Sequence, residues 1–172
     1  MEICLETLQK SLSDTLRSLA EHLKKTKQTI SVAESVTAGF IQLLLSTAKD
    51  AQEIFQGGVT VYNCAQKAIH LNVDPLYAEK CNGVDQNVTT QLAQNVCHLF
   101  RSQIGIAITG YATKVPEDNI NDLYAYVSIA LGPNTLGSKR ITTTAEGITA
   151  QWEYAKASLE FLVETIVDRH ET

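Results

Sequence analysis

No apolar run in the chain approaches the ~20 residues that a membrane-spanning helix needs, so no membrane segment is expected. The opening residues, MEICLETLQK, mix acidic and polar side chains with apolar ones, unlike a secretory signal. Basic patches are scarce as well. The largest is Lys24-Lys25 with Lys27, and the formal net charge is −5, which argues against nucleic acid as a partner. That small cluster instead closes a predicted helix, where cations suit the helix dipole. The four cysteines, Cys4, Cys64, Cys81 and Cys97, are scattered and form no C-x-x-C pair. Free thiols in a reducing cytoplasm are the simplest expectation, and the chain is expected to be cytoplasmic. His22, His70, His98 and His170 show no ligand spacing, so no metal site is expected. There is no internal repeat, no low-complexity tract and no linker. With 172 residues, 44% hydrophobic and 19% charged, the chain reads as one globular domain over 1–172 with a sizeable core.

What is present is a sequence of alternating elements. Leu5, Leu8, Leu12, Leu16, Leu19 and Leu23 recur at steps of three and four, which predicts an amphipathic helix over 3–25. Its stripe packs on the sheet by default and leaves a homo-oligomer open. A strand over Thr29–Ala33 and a helix running to about Thr47 follow. Val59–Tyr62 reads as a second strand and 63–71 as a helix with Ala65, Ala68 and Ile69 on its apolar side. Asp74-Pro75 opens a helical turn, and Asn82-Gly83 signals a turn. Residues 88–101 predict a helix with Val88, Leu92, Val96, Leu99 and Phe100 inward. Ile104–Thr109 is a buried strand, 111–122 a polar loop, and 123–131 with 136–144 a hairpin around Gly132-Pro133-Asn134. A last helix covers about 148–169. This order predicts an α/β fold, a three-layer α/β/α sandwich with a mixed, mostly parallel five-stranded sheet.

The chain is organised around TISVAESVTAG, residues 29–39, where a strand stops, turns and launches a helix. Ser35 at that turn has two meanings. It caps the new helix, or it is a hydroxyl displayed at a strand's carboxyl end, where open α/β sheets place ligands. Nearby helix N–H groups would favour an anion. The second strand ends in Tyr62, with Lys67 five residues on, and the third ends in Thr109-Gly110. A serine nucleophile, a lysine or tyrosine base and backbone N–H donors would suit acyl transfer. Lysine serves as a base only when burial or a positive field lowers its pKa from ~10.4. The plainer account leaves Tyr62 as an amphipathic strand end, Lys67 on a solvated helix face and Thr109-Gly110 as turn chemistry.

Ala33–Gly39, AESVTAG, resembles the AESCTGG motif of the CinA C-terminal domain family, the nicotinamide mononucleotide deamidases. FQGGVTVYNCAQK, residues 55–67, resembles that family's F-x-GGVVAYSNEAK. Residues 83–88 stand where it has GAVSEEV, and IAITG, residues 106–110, is similar to its VAVTG. The motifs match in order and spacing from about residue 10 to 168. The resemblance implies hydrolysis of the amide of nicotinamide mononucleotide to nicotinate mononucleotide and ammonia, with no metal and no cofactor. It implies Ser35 as nucleophile, Tyr62 and Lys67 as its activators, and a small-molecule site including Thr37, Ala38, Gly39, Thr109 and Gly110.

The departures fall on the expected phosphate site. Val36 replaces the motif's cysteine and Ala38 its first glycine, so a positive φ at Ala38 would be strained. Tyr111–Asn121 stands in place of a glycine-rich loop and carries Glu117 and Asp118. Residues 145–152 replace GDR-x-x-VR and carry neither arginine. Lys139 and Arg140 are the candidate substitutes, and Thr37 and Thr109 remain as hydroxyl donors. Three readings follow: an amidase with an altered pocket that takes a nucleotide or a substrate lacking the phosphate, a family member working only in binding or assembly, or a binding module for another metabolite. Weak or undetectable turnover of nicotinamide mononucleotide is expected, with affinity no better than for the dephosphorylated nucleoside. The catalytic readings require the Ser35 hydroxyl, Tyr62 phenol and Lys67 amine to converge at one end of the sheet.

Overall fold

The computed structural model describes residues 10–167. Five strands form one sheet: β1 (Ile30–Glu34), β2 (Phe55–Thr60), β3 (Ile104–Gly110), β4 (Leu123–Leu131) and β5 (Asn134–Thr143). Their order is β2-β1-β3-β4-β5. β1 pairs in parallel with β2 and β3, while β4 runs antiparallel to β3 and β5. Four strands therefore share one direction, and the sheet is mixed as expected. The helices are α1 (Ser13–Thr26), α2 (Phe40–Ser46), α3 (Ala51–Ile54), α4 (Cys64–Leu71), α5 (Pro75–Lys80), α6 (Gln86–Phe100) and α7 (Gly147–Ile166). None is long and apolar enough to cross a membrane among the described residues.

The alternation of strand side chains divides the interior into two layers. Ile30 and Val32 of β1, Ile104, Ile106 and Ile108 of β3, and Val127 and Ile129 of β4 pack with α1, α2 and α7. Ala33, Ala107 and Ala130 point the other way, against Val88, Leu92, Ala93 and Val96 of α6. Large residues thus face one helical layer and small ones the other. The Leu12, Leu16, Leu19 and Leu23 stripe lies in the first core, so this part of it is used internally. Leu5 and Leu8 lie outside the described residues.

Several boundaries differ from the sequence expectation for physical reasons. β2 spans Phe55–Thr60 rather than Val59–Tyr62, because Gly57-Gly58 belongs to the edge strand and the chain leaves the sheet before Tyr62. Its pairing with β1 shifts register between Ile30 and Ser31, and Gly57 has φ +127° there, a glycine bulge. α6 begins at Gln86, where the Asp85 carboxylate accepts from the Asn87 N–H at 2.7 Å. Its Leu99 is exposed, and Thr89, Ala93 and Cys97 are inward instead. The polar loop is not featureless: Val115 bridges Ile120 around a 3₁₀ turn at Pro116–Asp118.

The connection from β1 to α2 turns through the left-handed region. Its Ala38 has φ +51°, the left-handed conformation that a Cβ disfavours, and Gly39 follows at φ +111°. Ala38 is exposed, so no packing is lost by removing its methyl group. Ala38→Gly is expected to stabilise the protein by about 0.5–1 kcal/mol, relief of backbone strain outweighing the extra freedom of the unfolded chain. Urea unfolding measures this, and an unchanged or lower midpoint would contradict it.

Candidate functional site

The carboxyl ends of β1, β2 and β3 lie at one edge of the sheet. β1 sits between the other two: the connection out of β1 runs to β2 on one side and the next crosses back to β3 on the other, which makes this a switch point of the kind where open α/β sheets bind ligands. β1 ends in Glu34, a carboxylate with no solvent exposure. Its Oε2 accepts from the Thr37 hydroxyl at 2.5 Å, the Gly39 N–H at 3.0 Å and the Ile41 N–H at 3.1 Å. Its Oε1 accepts from the Gln42 N–H at 2.9 Å. The orphan donors of helix α2 are therefore satisfied by the chain's own carboxylate. This corrects the expectation for Ser35. It does not cap α2, which begins only at Phe40, and the helix end holds no vacant anion site.

Ser35 is held instead by its backbone. Its N–H donates to the Ile108 carbonyl at 3.1 Å, and its own carbonyl accepts from the Ala38 N–H. The hydroxyl faces Lys67, whose Nζ donates to Ser35 Oγ at 3.0 Å. Both also reach the Tyr62 carbonyl, at 3.4 Å each. Lys67 comes from α4, which the Asn63 side chain caps by accepting from the Gln66 N–H. The facing of α4 is the reverse of the predicted one: Ile69 and Ala65 are outward, while Lys67, 2% exposed, and Leu71 are inward. No carboxylate pairs with Lys67 among the described residues. Burial pushes its amine below the usual lysine range, and the neighbouring Cys64 and Cys81 thiols oppose that shift. Gly83, at φ +67°, lies close over this group: a Cβ there would stand 3.4 Å from Lys67 Nζ and 3.1 Å from Cys64 Sγ.

Ser35 and Lys67 meet at the floor of a cleft of about 360 Å³. Tyr62 lines it, but its side chain is not drawn in. The residue is 71% exposed, and its carbonyl rather than its phenol touches Ser35 and Lys67. Thr109 and Gly110 line the cleft; Thr37, Ala38 and Gly39 do not. Neither threonine offers a spare donor, since the Thr109 hydroxyl donates to the Gly83 carbonyl at 2.8 Å and that of Thr37 to Glu34. A Cβ on Gly110 would stand 2.5 Å from the Tyr124 carbonyl oxygen, so this glycine serves the approach of β3 to β4. Sequence reasoning missed Glu34 and the cleft amides Asn82 and Gln151 as site residues. The far wall comes from the start of α7, where the Gly147 N–H donates to the Ala112 carbonyl, Gln151 to the Val36 carbonyl and the Tyr154 hydroxyl to the Tyr111 carbonyl. The candidate substitute cations are elsewhere: Arg140 stacks on the Tyr124 ring at 4.2 Å and Lys139 lies over Phe161.

Comparison with known proteins bears on this geometry. The family model for the CinA C-terminal domain matches residues 12–166. A CinA-like protein of Koribacter versatilis is 31% identical over 149 residues, covering 85% of this chain and 35% of that protein. A CinA-like protein of Pseudothermotoga lettingae is 37% identical over 90 residues, 52% of this chain and 22% of that protein. The chain thus spans about a third or less of the length of these relatives. A CinA superfamily protein from Enterobacter cloacae superposes with a TM-score of 0.84 at 21% identity, over 90% of this chain and 92% of that one. One from Escherichia coli gives 0.82 at 18% identity, over 95% and 94%. At that identity the likeness establishes the fold alone.

The Glu34 collar generates a stability prediction. Glu34→Ala leaves three N–H groups and one hydroxyl without their acceptor, and is expected to destabilise by about 3 kcal/mol or more. Thermal or urea unfolding checks this; a loss below about 1 kcal/mol would mean that other acceptors take over the helix end.

Proposed function

The chain belongs to the CinA C-terminal domain family, and from that premise we propose that its cleft hydrolyses a carboxamide, with Ser35 as nucleophile and Lys67 as its base. The observation that carries this is the 3.0 Å contact between a buried lysine amine, unpaired with any carboxylate among the described residues, and a serine hydroxyl at a strand end. A neutral amine there accepts the Ser35 proton as Oγ bonds to the amide carbon. The Val36 N–H, next along the chain, has no acceptor among the described residues and is the assigned donor to the developing oxyanion. Lys67 then passes the proton to the departing nitrogen, the C–N bond breaks and ammonia leaves. Water attacks the acyl-serine with the same amine as base, which frees the carboxylic acid and restores Ser35. The nicotinamide mononucleotide deamidation implied by the sequence resemblance is a reaction of this class.

A binding or assembly role without turnover is the second reading. What favours it is the position of the Tyr62 phenol, which does not join the other two groups as the resemblance implies. Ammonia release separates the two. Ser35→Ala and Lys67→Met are each expected to lower the rate at least ~10³-fold, because nucleophile and base act as a unit. Tyr62→Phe is expected to change it little, since the backbone carbonyl stays. Turnover retained in Ser35→Ala would remove the covalent mechanism.

The lysine also sets a pH dependence. Burial lowers its pKa, and only the neutral form is a base, so kcat/KM is expected to fall as pH drops through that lowered value and to level off above it. The unfolded chain, with lysine at the ordinary 10.5, binds more protons in the window between the two values. Stability is therefore expected to rise with pH across that window in the native protein and not in Lys67→Met. A kcat/KM profile flat down to pH 5 would rule out Lys67 as the base.

A further inference from the structure

The cleft continues outward. Past Asn82, Val84 and Tyr111, which line both, it opens into a second depression of about 780 Å³. Glu79, Glu117 and Asp118 line that depression with Tyr111 and Tyr124, against the single cation Lys80. None of the three carboxylates forms an ion pair among the described residues. The rings of Tyr111 and Tyr124 meet edge to face at 5.6 Å on its wall.

Several groups that would replace the water around an anionic tail are already engaged, and the donors still open, the Val36 N–H and the first N–H groups of α7, which no side chain caps, lie on the cleft side of Tyr111 rather than in the depression. Glu34 takes the N–H groups of α2, and the Thr37 and Thr109 hydroxyls donate inside the protein. Lys67 serves Ser35. Lys114 stands 3.4 Å from the Glu146 carboxylate. Arg140, stacked on Tyr124, lines a separate depression with Asp122 and Glu153.

Resting on the amidase reading above, we propose that the carboxamide taken by this site has no phosphate or carboxylate in its tail, which is neutral or cationic and runs past Tyr111 into the acidic depression. A phosphate placed there has Lys80 and the amides of Asn82 and Asn119 as donors but meets three carboxylates, Glu79, Glu117 and Asp118, charges of its own sign. A cationic tail meets the same carboxylates favourably. The amide end is left to Ser35 and Lys67, and the depression selects by charge.

The test uses two molecules with the same carboxamide, nicotinamide riboside and its 5′-phosphate. Ammonia release is expected to give a kcat/KM for the nucleoside about tenfold or more above that for the nucleotide at neutral pH and low salt. The gap is expected to narrow as salt rises, and to narrow in Glu117→Lys with Asp118→Lys through faster reaction of the nucleotide. Glu117→Gln with Asp118→Asn, a milder pair at the same exposed positions, is expected to narrow it less. A nucleotide kcat/KM equal to or above that of the nucleoside overturns the proposal while leaving the amidase reading in place. Absence of ammonia from both molecules removes the amidase reading, and calorimetric titration of Ser35→Ala with the same pair then decides the charge preference. Tighter binding of the nucleoside sustains it; equal or tighter binding of the nucleotide, or binding of neither, overturns it.

Discussion

The carboxylate of Glu34 holds the candidate site together. Its backbone sits in the ladder on both sides, opposite Thr60 of β2 and Ile108 of β3, and its carbonyl accepts from the Val61 N–H. Its side chain closes the N-terminus of α2 through four donors. One residue thereby joins three strand ends and a helix start in the dry interior, where each of these hydrogen bonds is strong and an unmade one is expensive. Ser35 is the next residue, so its position follows from that junction. The helix end, which elsewhere would draw an anion, is neutralised from within.

With the helix end occupied, the character of the cleft rests on Lys67. Its amine is covered by Gly83, bonded to Ser35 and the Tyr62 carbonyl, and paired with no carboxylate among the described residues. A carboxylate beside it would hold the proton on the amine and end the role proposed for it as a base. Glu34 adjoins Ser35 along the chain but spends its lone pairs on α2. The acids of the neighbouring depression line a different chamber from the one containing Lys67. The protein thus has many acids near this edge of the sheet while keeping them away from one amine.

The layers, the mixed five-stranded sheet and the positions of Ser35 and Lys67 at one edge follow from features legible in the sequence: apolar alternation, turn residues and the motif around residues 33–39. What was not legible has specific causes. Hydrophobic periodicity reports which face meets a core, and α4 turns its inner face to a polar cleft, so the rule placed Ile69 inward and Lys67 outward. Ser35 looked like a cap because serine commonly is one, whereas the cap comes from a glutamate, a residue that reads as surface in any composition-based view. The second strand was expected to start only at Val59 because nothing local marks Gly57 as a bulge within a strand. Tyr62 stood at the right place in the chain, but which of its atoms faces inward depends on where β2 ends.

The hydrogen bonds from α7 to the cleft have a consequence in time. Gln151 reaches Val36 across 115 residues of sequence, and Gly147 and Tyr154 tie the Ala112 and Tyr111 carbonyls to the same helix. Contacts of such separation form late, because the chain between them must first be ordered. Synthesis proceeds from the other end, so β1, α4 and β3 emerge well before α7. A growing chain therefore brings the serine and the lysine to their strand ends while one wall of the cleft is still missing, and the cleft takes its shape only when the last helix docks.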